Sequence, residues 1–178
     1  MNLGTTKLTI IVAVDRYGGF AKNGTIPWNF KEDWKHFKKL TDGKICVMGR
    51  STYDEMVATA KSKNRDITNG ILPGRECYVI SNSKPDEYFV GAHRISCLSH
   101  LFEQKPDALE VMVFGGEKLF IEAFPWVKTV YLTAIDQVYD CDRFFPTQIL
   151  EQKYTITDGK KVNENGTDLY FMTYTRKA

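Results

Sequence analysis

Residues 7–14 read Lys-Leu-Thr-Ile-Ile-Val-Ala-Val, an almost unbroken β-branched run with little polar alternation. A strand with one face in water alternates polar and apolar residues. One without alternation is buried on both faces, as inside a parallel sheet covered by helices. An interior strand is therefore expected here, and the rest of the chain must supply helices for both of its faces.

The chain after Asp15 meets that demand. Residues 16–27 hold three glycines and a proline, a long loop of the kind that binds ligands or closes over them. Phe30, Trp34, Phe37 and Leu40 fall at helical spacing with Lys31, Lys35, Lys38 and Lys39 on the far side, which predicts an amphipathic helix over 30–40. Strands follow at 45–48, 77–80, 93–95 and 110–114, with helices opening at 49–52, near 98–102 and at 117–124. Residues 57–71 lack a sustained period and read mostly as an exposed, mobile loop, and a turn-rich link contains Pro85. The last third changes character: a strand at 129–135, then two strands at 154–158 and 168–175 flanking Asn163-Glu164-Asn165-Gly166, which reads as an antiparallel hairpin. Together these elements predict a three-layer α/β fold over 1–178, with a mixed eight-stranded sheet, helices on both faces and a C-terminal antiparallel hairpin, in a single domain.

Composition narrows the partners. With 178 residues, 24 basic against 22 acidic side chains and a net charge of +2, the chain has neither the charge of a nucleic-acid binder nor, in the short apolar run at 8–14, the length of a membrane span. No basic leader with a small-residue cleavage site is seen, and the expectation is a cytoplasmic monomer. Cys46, Cys77, Cys97 and Cys141 form no CxxC pair and have no histidine at ligand spacing, so reduced thiols and no metal site are expected.

Four places carry chemistry. Asp33 sits in the first turn of the 30–40 helix beside an apolar stripe. That position suits an acid complementing the helix dipole as well as a functional carboxylate. Gly49-Arg50-Ser51-Thr52 leads from a strand into a helix N-terminus, a seat for phosphate or simply a helix cap with a solvated arginine. Gly115-Gly116 repeats the strand-to-helix junction without the third glycine of a dinucleotide fingerprint. Arg75, after Leu72-Pro73-Gly74, is either a ligand-facing cation or a surface turn residue.

In their order, Ile11-Val12-Ala13-Val14, Asn23-Gly24-Thr25-Ile26-Pro27-Trp28, Asp33, Met48-Gly49-Arg50-Ser51-Thr52, Leu72-Pro73-Gly74-Arg75, Phe114-Gly115-Gly116 and Leu132-Thr133-Ala134-Ile135-Asp136 resemble dihydrofolate reductase across nearly the whole chain. The aspartate at the acid position is similar to bacterial and phage-type members, where vertebrate members carry glutamate. The resemblance implies reduction of 7,8-dihydrofolate to 5,6,7,8-tetrahydrofolate by NADPH. It implies that Asp33 holds the pterin and promotes protonation at N5, that Thr133 supports its carboxyl, and that Trp28 holds an ordered water. Ile11, Val12, Phe37, Met56, Leu72 and Phe114 would line the substrate pocket, and Arg75 would grip the substrate's glutamate carboxylate. On the cofactor side it implies Ala13, Phe20 and Ile26 at the nicotinamide, Gly115 and Gly116 with Phe114, Glu117, Lys118, Leu119 and Phe120 along the following helix, and Gly49, Ser51 and Thr52 at the phosphates. Arg50, Ser81 and Asn82 would meet the adenosine 2′-phosphate.

The chain departs from the family pattern at Gly19-Phe20-Ala21 (usually Gly-Ile-Gly), at Phe120 (commonly tyrosine), at Asn82 (usually serine or threonine) and in the longer 57–71 segment. A same-fold reductase acting on another pterin or on a pyrimidine precursor should lack the Asp33 and Arg75 pair. A non-catalytic nucleotide-binding module should have lost Asp33, the glycine pair or Arg50. All are present.

Overall fold

The computed structural model describes residues 1–84 and 86–178; the expected link at Pro85 lies outside the described residues. In chain order the elements are β1 (Lys7–Val14), β2 (Gly19–Ala21), α1 (Lys31–Thr41), β3 (Ile45–Gly49), α2 (Arg50–Ser62), β4 (Glu76–Ile80), β5 (His93–Ile95), α3 (Leu98–Gln104), β6 (Glu110–Val113) and α4 (Glu117–Ala123). A 3-10 turn at Phe124–Trp126 leads into β7 (Thr129–Ile135), β8 (Arg143–Phe144), α5 (Thr147–Lys153), β9 (Tyr154–Glu164) and β10 (Thr167–Arg176). Eight strands form one sheet in the order β5-β4-β3-β6-β1-β7-β10-β9, while β2 and β8 pair separately. All pairings from β5 to β7 are parallel, and β10 runs antiparallel to both β7 and β9.

β1 is the interior strand its composition demanded. Leu8, Ile10 and Val14 join one apolar layer with residues of α3, α4 and α5, while Ile11 joins the other layer with residues of α1 and α2. Successive side chains of a strand point to opposite faces, so a strand between two helical layers needs apolar residues at every position.

Local chemistry explains both tight turns. Asn23 and Gly24 have φ of 49° and 73°, and Asn165 and Gly166 have 51° and 86°, the paired positive values that Asn-Gly adopts in two-residue hairpin turns. The second joins β9 to β10 and confirms the hairpin, although β9 is longer than its expected strand at 154–158. Nearly all of β9 is exposed, so its second half, with Lys160 and Lys161, carries no apolar signal; lysines are suited to an unpaired sheet edge.

The expected loop at 57–71 is corrected: α2 continues to Ser62. It ends where Asn64 takes φ 51° and the Arg65 N–H reaches back to the Ala60 carbonyl at 2.9 Å, a left-handed helix stop. Tyr53, Met56, Val57 and Ala60 carry the helical spacing, interleaved with Thr52, Asp54, Glu55, Thr59 and Lys61.

The start of α1 depends on the hairpin. Phe30 precedes the helix in an extended conformation and offers no side-chain cap. The first-turn N–H groups of Lys31 and Glu32 instead donate to the two carboxylate oxygens of Glu164, at 2.9 and 2.8 Å. A carboxylate at a helix N-terminus satisfies orphan donors and complements the dipole. Glu164→Ala should therefore destabilise the protein by about 1–2 kcal/mol, read from urea unfolding of the variant against wild type. Equal stability would show that water caps α1 as well as Glu164 does.

Candidate active site

Interior parallel strands commit their faces to packing and leave their carboxyl ends as the place where polar groups can converge. Here β3 runs directly into α2, β6 leads through Gly115-Gly116 into α4, and α1 packs on the apolar layer that holds Ile11 of β1 and residues of α2. Asp33 comes from the first turn of α1. Thr133 comes from β7, paired in register with Ala13 of β1. Loss of hydration pushes the Asp33 carboxyl up to about 6, a hydrogen bond from the Thr133 hydroxyl draws it down, and the charge of Glu164 raises it further. Part of the side chain still faces the open cleft.

Apolar groups flank this carboxyl. Trp28 is buried against Tyr139 with ring centroids 5.1 Å apart. The rings of Phe37 and Phe114 lie 5.0 Å apart, and Ile11, Met56 and Leu72 belong to the same apolar layer. Val12 packs on the opposite layer, so its expected place in the substrate pocket is corrected for the side chain: only its backbone can face that side.

Arg75 is held rather than solvated. Its Nε donates to the Thr41 hydroxyl at 3.1 Å, and its two terminal nitrogens donate at 2.6 Å to the Pro73 and Lys38 carbonyls. Five N–H groups less three leave two to offer a carboxylate, in a fork aimed by the other bonds. Asp42 sits 3.9 Å away as a distant counter-charge.

On the other side of the cleft the glycines make a cradle. The Gly49 N–H donates to the Gly115 carbonyl at 2.7 Å, Gly115 has φ +110°, and the Gly115-Gly116 peptide is cis. A Cβ on Gly116 would come within 3.9 Å of the Thr52 hydroxyl. Neither α2 nor α4 has a side-chain hydrogen bond from its cap residue, so the first-turn N–H groups beside Ser51, Thr52, Glu117 and Lys118 are open to a phosphate. These features fit a dinucleotide. Arg50 and Ser81 stand at the far end of the cradle, and Asn82 is exposed beside them.

Leu119 and Phe120, expected along the cofactor, have side chains committed to the core, and Phe120 is 0% exposed. The Phe120 ring lies beneath Gly115, where a Cβ would approach it to 2.8 Å, and it packs edge-on to Phe20 and Phe145 at 5.8 and 5.0 Å. At this site α4 offers the cleft backbone more than side chains.

The Gly19-Phe20-Ala21 loop is docked. β2 pairs with β8, the Asn23 N–H donates to Asp142 at 2.9 Å, and the Asp142 N–H donates to the Ala21 carbonyl at 2.9 Å. Asp15, 3% exposed, accepts from the Tyr17, Gly19 and Tyr139 amides at 3.0, 2.9 and 3.1 Å. Ile26, at the end of this loop, is exposed.

Sequence reasoning missed Asp15, Asp142 and Glu164, whose partners lie up to 133 residues away. It also missed Glu55, a buried residue of α2. Burial pushes the Glu55 carboxyl up to about 7, Arg143 draws it down, and Asp142 and Asp54 push it up. Glu55 has no motif to mark it. Among the described residues no group of three or more His, Cys, Asp or Glu side chains could hold a metal ion, and no helix is long and apolar enough to cross a membrane.

The family described as dihydrofolate reductase matches residues 7–176. A dihydrofolate reductase of Staphylococcus haemolyticus is 29% identical over 174 residues, 96% of each chain. A type 3 dihydrofolate reductase of Salmonella typhimurium is 32% identical over 139 residues, 78% of each chain. Among solved structures, a dihydrofolate reductase from Enterococcus faecalis complexed with NADP(H) and RAB-propyl is similar with a TM-score of 0.82 at 26% identity, covering 97% of each chain.

The raised Asp33 carboxyl has a stability cost with a definite sign. The unfolded chain loses this proton near 3.8 and the folded protein at about 6, so stability falls as pH rises between those values and the loss is complete above about 6. Asp33→Asn should be more stable than wild type at pH 7.5, on the order of 2 kcal/mol after discounting for the exposed part of the side chain, and the difference should vanish below the unfolded value. Urea unfolding at both pH values checks this.

Proposed function

The chain belongs to the dihydrofolate reductase family, and on that premise we propose that Asp33, Thr133 and Trp28 carry the proton chemistry of its reaction. The reaction is the NADPH-dependent reduction of 7,8-dihydrofolate to 5,6,7,8-tetrahydrofolate. NADPH, when bound, supplies the hydride that goes to pterin C6.

A hydride arriving at C6 leaves electron density on N5, so this chain must hold a proton and keep bulk water out. The observation that carries the proposal is Asp33, whose proton is retained up to about pH 6 in a wall of apolar side chains. The Thr133 hydroxyl orients that carboxyl so that it can pair with the pterin amidine and promote protonation at N5 through water. Trp28, packed on Tyr139, closes the side of the cleft where such a water would sit. Phe37, Phe114, Ile11, Met56 and Leu72 take the flat apolar body of the substrate, and the two free N–H groups of Arg75 take its carboxylate.

For the cofactor, Ala13, Phe20 and Ile26 border the nicotinamide end. Gly49, Ser51, Thr52, Gly115 and Gly116, with Glu117 and Lys118, surround the phosphates through backbone N–H groups. Arg50, Ser81 and Asn82 form the adenosine 2′-phosphate end. The support is the open helix starts and the close approach of Gly49 to Gly115.

Residues 1–178 are read as one domain working as a cytoplasmic monomer, without nucleic-acid or membrane partners. One continuous eight-stranded sheet, four free thiols and a net charge of +2 support that reading.

Turnover followed by loss of NADPH absorbance on adding dihydrofolate should fall as pH rises through about 6, because Asp33 then gives up its proton. Asp33→Asn should lower turnover at neutral pH by about 10²–10⁴-fold. An unchanged rate in that variant would reject the assignment of Asp33.

A further inference from the structure

β3 and β4 pair so that Gly49 lies opposite Ile80. The next residues of the two strands, Arg50 and Ser81, therefore leave the sheet side by side at its carboxyl edge. Between them stands the Glu87 carboxylate. Glu87 Oε1 forms an ion pair with the Arg50 guanidinium, and its Oε2 lies 3.5 Å from both the Ser81 and Ser83 hydroxyls. Phe89 lies under the guanidinium with its ring centroid at 5.7 Å, and Asp54 is 3.8 Å from Nε. The Glu87 side chain is 15% exposed against 48% for Arg50, so the carboxylate is tucked inside the arginine.

An arginine fork with two hydroxyls is a donor set suited to a phosphate monoester. Here it is already filled by an anion of the chain itself. We propose that Glu87 occupies the seat of the adenosine 2′-phosphate, so that NADPH must displace it while NADH need not, and that Glu87 thereby sets the discrimination between the two cofactors. The inference rests on the assignment of Arg50 to the 2′-phosphate made above.

The physical reason is competition between like charges for one fork. A phosphate dianion and a carboxylate repel, and neither can share the Arg50 N–H groups without loss. With NADH the carboxylate stays in place and accepts a hydrogen bond from the free ribose 2′-hydroxyl, the use to which acidic residues are put in NAD-binding folds. If the displaced arrangement makes up about 10% of the free protein, apparent Kd for a 2′-phosphorylated ligand is raised roughly tenfold.

Calorimetric titration of wild type, Glu87→Gln, Glu87→Ala and Arg50→Gln with NADPH, NADH, 2′,5′-ADP and 5′-AMP tests this without turnover. Glu87→Gln and Glu87→Ala should tighten NADPH and 2′,5′-ADP roughly tenfold, and leave NADH and 5′-AMP unchanged or weaker. Thermal unfolding of each variant checks that it is folded, and either glutamate variant suffices for the comparison. If Arg50→Gln abolishes the preference for 2′-phosphorylated ligands while the glutamate variants leave it unchanged or reduce it, the role of Glu87 is overturned and the phosphate site stands. If Arg50→Gln leaves the preference intact, the phosphate does not sit on Arg50 and both readings fail.

Discussion

Everything reactive in this protein hangs from the pairing of β1 between β6 and β7. Both edges of β1 are hydrogen-bonded in parallel ladders, and both of its faces are covered. A strand so enclosed cannot present a functional side chain along its length, and chemistry is driven to its carboxyl end. The same register sets Ala13 against Thr133 and so brings the Thr133 hydroxyl to Asp33. A slip of one residue would turn Thr133 to the opposite face.

Around that rigid frame the mobile-looking parts are tied by carboxylates. Asp15 and Asp142 hold the 16–25 loop through backbone amides, Glu164 caps α1, and Glu87 pairs with Arg50. Hydrogen bonds to charged groups are each worth about 1.5–3 kcal/mol when well made. The 16–25 loop also buries Ala21 and packs Phe20 on Phe120, so apolar contact adds to these charged ties. Glu164 does two things at once: its charge favours the start of α1 and disfavours ionisation of Asp33 in the same first turn. Moving the hairpin tip would therefore alter both helix stability and the acidity of the cleft.

The reach of sequence reading followed how local each cause is. The β-branched run, the Asn-Gly turns and the glycine junctions act within a few residues, and the structure has them where their chemistry demands. The end of α2, the β2 and β8 pair and the second half of β9 escaped because their signals are weak or nonlocal. α2 interleaves its apolar stripe with small, polar and charged residues, β2 exists only because β8 lies beside it, and β9 is an exposed edge. α5 was missed in the same way, its seven residues burying only Leu150.

For the site, the sequence by itself determined which groups are available: one carboxylate in the first turn of an amphipathic helix, one arginine after a Pro-Gly turn, one where a strand enters a helix, and glycines at such junctions. These depend on local backbone preference and on the order of motifs along the chain. Only the tertiary structure decided that Val12, Leu119 and Phe120 turn into the core, that Arg75 is aimed by two carbonyls, and that Glu164 and Glu87 reach α1 and Arg50. Burial and electrostatic pairing act through space, between residues that the chain separates by tens of positions, and no local pattern records them.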